Sequence, residues 1–366
     1  MPDDAVDPVF IERLSRLGPA LLNGLEAFEI VRRRLHPPAF GSLRDGLRPI
    51  ADRLDATLSD FKGVAPPQAL SDLAAQLTGA AEAAASALHN FCEAGLPPEA
   101  IPRVLYAMRQ HCRAQEMLYP LRRALPPVGL YFLEPPLRQR AAEIDPEPHA
   151  EVPVGIVKAR AESGQRGGFS LYVPERYDPA RTWPLVVALH GGSGTGDDFL
   201  WAWLTEARGR GFLLLAPTSL GSTWSMMGPD LDAPALCTMV EYVREHWNVD
   251  DAHILLTGLS DGATYTLLCG LQAEMPFTAL APVSGVLHPA NLVNGNLERA
   301  RGRRIYLVHG ALDWMFPIAI ARLAAQELER AGAEVIFREI ADLSHTYPRE
   351  ENDRILTWFD PTLALP

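Results

Sequence analysis

The stretch Ile254-Leu255-Leu256-Thr257-Gly258-Leu259-Ser260-Asp261-Gly262-Ala263 decides how this chain is read. Its first four residues are apolar or β-branched and read as a buried strand. From Ala263 to Ala273 the pattern reads as a helix. Between them, Gly258-Leu259-Ser260-Asp261-Gly262 fits G-x-S-x-G, a sharp strand-to-helix turn that lifts its serine above the carboxyl edge of a sheet. Glycines on either side permit the cramped backbone. The helix that follows opens with free N–H groups and a positive dipole end, which favour developing negative charge. This context predicts a nucleophile at Ser260.

Working outward, strand and helix patterns alternate from about Val152 to the end. Strands are expected at Ile156-Val157, Phe169 to Val173, Leu185 to Leu189, Phe212 to Ala216, Ala279 to Val283, Ile305 to Val308 and Val335 to Ile340. Helices are expected at Asp198 to Arg208, Ala233 to Trp247, Ile318 to Glu329 and Glu351 to Phe359. Such alternation predicts an α/β fold, a mostly parallel sheet with helices on both faces. In sheets of this kind reactive groups gather at the carboxyl ends of the strands.

A serine hydroxyl needs a base, and the base needs an orienting acid. Histidine is the usual base because it titrates near neutrality. His345 lies just past the last expected strand, and Asp313 just past the strand ending at Val308. The chain order Ser260, Asp313, His345 is the one that accompanies this turn. Asp342 is a rival acid, but it stands in the same loop as the base and reaches around the imidazole poorly. At the end of the run Leu185 to Leu189 comes His190-Gly191-Gly192-Ser193-Gly194. Its glycines let the backbone approach a substrate oxygen, so an oxyanion hole is expected from the N–H groups of Gly192 and Asp261. No Gly-Lys-Ser/Thr follows, which argues against a phosphate loop. His190 itself reads as a stabiliser of its loop.

From about Ser170 to Phe359 the chain resembles the esterase branch of the α/β-hydrolases: the phospholipase/carboxylesterase, feruloyl esterase and polyhydroxyalkanoate depolymerase-like groups. The residues that carry the resemblance are Leu189-His190-Gly191-Gly192, Asn248-Val249-Asp250 leading into Thr257 to Gly262, His309-Gly310 with Asp313, and His345. The resemblance implies hydrolysis of a small-molecule carboxylic ester through an acyl-enzyme, with no metal and no organic cofactor. It departs from the family at Ala263, where a second glycine often follows the turn, a mild change in helix packing. It says nothing about the first part of the chain.

That first part reads as an all-α bundle over residues 1–125. Four segments carry apolar residues at steps of three and four, among them Phe10 to Phe28, Leu43 to Phe61, Leu70 to Phe91 and Ile101 to Leu121. Pro37-Pro38, Pro66-Pro67 and Pro97-Pro98 separate them, where proline can begin the next helix. The third segment is rich in alanine, which favours close packing or a homodimer through the helical domain. A role in covering the active-site rim is a further expectation for this domain. Prolines then crowd residues 126–151, read as a linker or strap with an apolar patch at Leu130-Tyr131-Phe132-Leu133, and the catalytic domain is expected over 152–366.

A net charge of −12, from 33 basic and 45 acidic residues, disfavours a nucleic-acid binder and attachment to anionic lipid. The four cysteines form no CxxC pair and no metal-ligand spacing. No apolar run reaches the length of a membrane span. Met1-Pro2-Asp3-Asp4 lacks the basic and apolar regions of a signal peptide, which leads to a cytoplasmic expectation. The pocket walls are expected from residues 218–229 and from Trp314-Met315-Phe316. Trp224 is either a stacking surface for the substrate or a loop anchor; Trp314, Met226 and His288 are further lining candidates. Two alternatives stand beside the esterase reading. One is a serine peptidase or amidase on the same fold, the other a non-catalytic binding or scaffold protein.

Overall fold

The computed structural model describes residues 7–95, 100–147, 152–161 and 165–366. The chain divides into two compact units, Met1–Pro135 and Pro136–Pro366.

The first unit is helical. Helix α1 spans Pro8–Arg33, α2 Phe40–Lys62, α3 Ser71–Cys92 and α4 Ile101–Leu118. Asp7 caps α1 by accepting a hydrogen bond from the Val9 N–H at 2.9 Å, and Pro8 follows at a position where no N–H is needed. Helix α1 packs against α2, and α3 against α4. The apolar positions of the repeat turn inward: Phe10, Leu17, Leu21, Leu25 and Phe28 of α1 are buried, and Phe28 meets Phe91 edge-on at 6.0 Å. Seven alanines of α3, from Ala74 to Ala87, are buried. The expected break at Pro97-Pro98, the opening Met1-Pro2-Asp3-Asp4 and Pro148 lie outside the described residues. The Pro-rich stretch holds a short helix, Pro126–Tyr131, and a 3-10 segment, Pro135–Arg140. Phe132 of its apolar patch is buried and packs edge-on against Tyr119 at 5.1 Å, inside the helical unit.

The second unit is built on one mixed, mostly parallel sheet. Its sheet has eight strands in the order β1-β2-β4-β3-β5-β6-β7-β8. These are β1 Gly155–Arg160, β2 Gly168–Val173, β3 Trp183–Leu189, β4 Leu213–Pro217, β5 Val249–Leu259, β6 Ala279–Val283, β7 Arg304–Gly310 and β8 Glu334–Ile340. β2 pairs antiparallel with β1 and β4, and every pair from β4 through β8 is parallel. β3, β4 and β6 are buried along their whole length, as continuous apolar strands covered on both faces should be. Because the strands are parallel, the ends of β3, β5, β7 and β8 open on one rim.

Two local expectations change. The strand expected at Ile254 to Thr257 extends over the whole of β5, 11 residues, and runs directly into Ser260. The helix expected from Asp198 to Arg208 is broken: Gly196–Phe199 and Leu204–Glu206 are separate turns, and Ala207–Gly211 is wound as a π-helix. Gly209 and Gly211 hold helix poorly, and Arg208 is drawn inward, 2% exposed, to bond Asp145 at 3.0 Å.

Candidate active site

Ser260 stands between β5 and the helix Asp261–Gly270. Its φ is +57°, in the left-handed region that an L-residue adopts only under constraint. Two contacts impose it. The Ser260 N–H donates to Val283 O at 3.0 Å, and Gly262 is packed against the Leu189 carbonyl at the end of β3. A Cβ on Gly258 would stand 2.6 Å from the backbone of Gly262. The motif glycines are therefore required by contact.

Asp313 and His345 come from the next rim loops. β7 ends at Gly310 and β8 at Ile340, and the loops beyond them are knitted together. Leu312 N–H donates to Leu343 O at 2.9 Å, and the Ser344 hydroxyl to Leu312 O at 3.2 Å. This brings His345 Nδ1 to 2.8 Å from Asp313 Oδ2, and His345 Nε2 to 2.9 Å from Ser260 Oγ. Asp313 is 5% exposed, and its other oxygen, Oδ1, accepts from the N–H groups of Met315 at 2.9 Å and Phe316 at 2.8 Å. Burial pushes the Asp313 carboxyl up. The His345 hydrogen bond, the Phe316 N–H and the neighbouring imidazoles outweigh it, so the group titrates below its ordinary value and stays ionised. The Phe316 ring meets the His345 imidazole edge-on at 5.2 Å. Asp342, the rival acid, is exposed.

The loop after β3 lies directly on this turn. A Cβ on Gly191 would touch Ser260 Cβ at 3.6 Å, and one on Gly192 would stand 2.7 Å from Asp261 Oδ2. Within the loop, Gly194 N–H closes on Gly191 O at 3.0 Å, and Ser193 N–H donates to Ser222 O at 2.9 Å. His190 is buried and bridges two loops: Nδ1 bonds Gly191 O at 2.7 Å, and Nε2 accepts from Ser219 N–H at 3.0 Å. An imidazole that donates on one side and accepts on the other is neutral, and burial lowers its pKa to about 4.

The lining candidates separate. Trp224 is 3% exposed. Its indole N–H donates to His190 O at 2.8 Å, and its ring stacks on Tyr265 at 5.5 Å and tilts against His190 at 4.8 Å. That is the geometry of a loop anchor, the second of the two readings weighed for it. Trp314, by contrast, is 51% exposed beside Asp313, with Leu312 and Met315 also open to solvent. Met226 is half-buried against the core. His288 is half-buried, its Nδ1 accepting from Ala290 N–H at 3.2 Å.

Sequence reasoning did not reach Thr223, Asp232 or the role of His309. The Thr223 hydroxyl donates to Asp261 Oδ2 at 2.6 Å. The buried Asp232 gathers the loop between β4 and the helix Asp232–His246, accepting from Leu220 N–H at 2.9 Å and from Ser225 N–H at 2.7 Å. His309 Nε2 donates to Phe316 O at 2.8 Å and lies 3.4 Å from Asp313 Oδ2, and burial lowers its pKa. His309 carries a weak signal, a histidine ending a strand four residues before an aspartate. Thr223 and Asp232 carry none that a single sequence displays.

Residues 234–361 match the phospholipase/carboxylesterase family model. Feruloyl esterase C of Emericella nidulans is 29% identical over 160 residues, covering 41% of this chain. An acetylxylan esterase of Coprinopsis cinerea is 27% identical over 134 residues, covering 32% of this chain. The matches span 56% of the length of the first relative and 36% of the second. Among solved structures, an acetyl xylan esterase from Aspergillus awamori is similar at a TM-score of 0.44 and 17% identity, over 56% of this chain and 98% of that one.

Proposed function

We propose that this chain, an α/β-hydrolase by fold, hydrolyses carboxylic esters through an acyl-enzyme formed on Ser260. The observation that carries the reading is the continuous hydrogen-bonded line from Ser260 Oγ through His345 to Asp313 at the apex of a strained turn. In this reading His345 Nε2 takes the hydroxyl proton as Ser260 Oγ attacks the ester carbonyl. The N–H groups of Gly192 and Asp261 receive the oxyanion, and Asp313 stabilises the imidazolium. His345 then protonates the leaving alcohol. Water repeats the sequence against the acyl-serine, releasing the acid and restoring the enzyme. No step calls for a metal or organic cofactor.

Exposed Leu312, Trp314 and Met315 give the rim beside the base an apolar character, which suits an alkyl or aryl ester of small to medium size. The names of the relatives make feruloyl and acetyl esters the first acyl groups to try. The test is a panel of acyl chain lengths and alcohols run against wild type and Ser260→Ala, with a fluorophosphonate probe. Turnover and Ser260 labelling in wild type, both lost in the variant, are expected. Comparable turnover in Ser260→Ala would overturn the reading, and faster cleavage of a matched amide than of its ester would move it to a peptidase or amidase.

For the helical unit we infer a homodimer contact. The buried alanines of α3 are spent inside the chain, whereas Ile101, Leu105 and Tyr106 of α4 are exposed. Sedimentation of the full chain as a monomer at micromolar concentration would exclude it. The free thiols of Cys92, Cys237 and Cys269 suit a reducing compartment, so the cytoplasm is the location inferred. Recovery of the protein from the culture medium of its source would contradict that.

A further inference from the structure

We propose that Thr223 is a positioning residue for the oxyanion hole: its hydroxyl holds the Asp261 carboxylate against Gly192 and so fixes the two N–H donors relative to each other. The inference rests on the esterase reading above and concerns how its transition state is held.

Three consecutive residues brace the two halves of the hole. Ser222 O accepts the Ser193 N–H at 2.9 Å, which ties down the loop after β3. Trp224 Nε1 donates to His190 O at 2.8 Å at the start of that same loop. Between them, Thr223 Oγ1 donates to Asp261 Oδ2 at 2.6 Å, on the other side of the hole. The carboxylate so held fills the space over Gly192, where a Cβ would come within 2.7 Å of Oδ2. Asp261 thus contributes its N–H to the hole and its side chain to the wall against which the partner donor rests.

The chemistry makes this placement matter. An oxyanion hole works because its donors are fixed before charge develops, and a donor displaced by a fraction of an ångström loses much of its effect. A carboxylate next to a developing oxyanion is also an electrostatic liability. Accepting a short hydrogen bond from Thr223 keeps the Asp261 charge turned toward the loop of Thr223 and away from the reacting carbonyl. An aspartate on the residue that supplies the second donor therefore needs a hydroxyl opposite it.

The test compares Thr223→Val, which keeps the branched shape and removes the hydroxyl, with Thr223→Ser, which keeps the hydroxyl. Acetyl-ester kinetics and the affinity for a trifluoromethyl ketone, whose tetrahedral adduct places an oxyanion in the hole, are measured on the full chain. Thr223→Val should lower kcat about 10- to 100-fold while KM changes less than about threefold, and ketone affinity should fall in parallel with kcat/KM. Thr223→Ser should recover most of the loss. A Thr223→Val protein that is folded by circular dichroism and has wild-type kcat and ketone affinity would overturn the proposal. So would a loss in kcat that leaves ketone affinity untouched, because the hole would then be intact. If wild type itself neither cleaves esters nor labels at Ser260, the esterase reading fails; if it does both and only the Thr223 variants behave alike, the positioning role alone fails.

Discussion

Gly262 and Leu189 approach so closely that a Cβ on Gly262 would stand 2.4 Å from the Leu189 carbonyl oxygen and 2.5 Å from that of His190. The turn at Ser260 therefore rests on the end of β3 with no room for a methyl group. Gly262→Ala must push the helix Asp261–Gly270 away from the loop that carries Gly192. We expect a stability loss of about 1–3 kcal/mol, typical of overpacking, measured by urea unfolding. Ester turnover should fall at least about tenfold, because Ser260 and the second donor move together away from the first. Wild-type stability and turnover in this variant would show that the contact yields without consequence.

Trp224 and Trp314 should behave oppositely when altered. Trp224 is buried and spends its N–H on His190 O, so Trp224→Phe leaves that carbonyl without its partner. The expected result is a loss of about 1–2 kcal/mol and a kcat that drops by a similar factor for every ester. Trp314 is half exposed on the acid loop, so Trp314→Ala should leave stability within about 0.5 kcal/mol. It should raise KM several-fold for aryl or long-chain esters and little for acetyl esters. An acyl panel with both variants checks the contrast; selective loss of aryl esters in Trp224→Phe would return that residue to the substrate.

His190 gives the protein a defined acid weakness. Its folded pKa is about 4, below its ordinary value of 6.5. The unfolded chain therefore takes up the proton first as pH falls. The stabilising contribution is complete above about pH 6.5, declines below it and is gone near pH 4, a span worth about 3 kcal/mol. Protonation also removes the acceptor that His190 Nε2 offers to Ser219 N–H. His190→Gln, which retains an acceptor and cannot titrate there, should flatten this part of the stability profile. Unfolding free energies of both proteins between pH 4 and pH 7 test it, and parallel profiles would remove His190 as the source.

What the sequence displayed, and what it hid, follows from the range of the interactions. All eight strands were legible because clusters of apolar, β-branched and aromatic residues are a local signal, and the G-x-S-x-G turn because its two glycines answer contacts within the turn and with β3. Asp313 and His345 were legible as strand-end residues in the right order. The broken segment at residues 198–208 was not, because Arg208 is drawn toward Asp145, 63 residues earlier. The direction in which Trp224 points was hidden for the same reason: its partner, His190, is 34 residues away. The departure at Ala263 finds its answer across the sheet, where Gly285 lacks the Cβ that would stand 2.6 Å from Ala263 Cβ.

The choice of Asp313 over Asp342 as the orienting acid gives the sharpest remaining prediction. The two oxygens of Asp313 have different partners. Oδ1 faces two backbone donors, Met315 and Phe316, and Oδ2 faces His345 Nδ1. In Asp313→Asn the amide has one oxygen and one NH2. The oxygen is required where two N–H groups converge, so the NH2 must turn toward His345. An N–H pointing at Nδ1 forces the imidazole proton onto Nε2, the nitrogen that faces Ser260 Oγ at 2.9 Å. A protonated Nε2 cannot accept the serine proton, so the base is lost while the fold is kept. We expect kcat/KM to fall by roughly three to four orders of magnitude, with a circular dichroism spectrum like that of wild type. Asp342 is exposed on the surface, and Asp342→Asn should stay within about threefold of wild type. If Asp342→Asn is the more damaging of the two, the base takes its orientation from its own loop and the assignment of Asp313 is wrong.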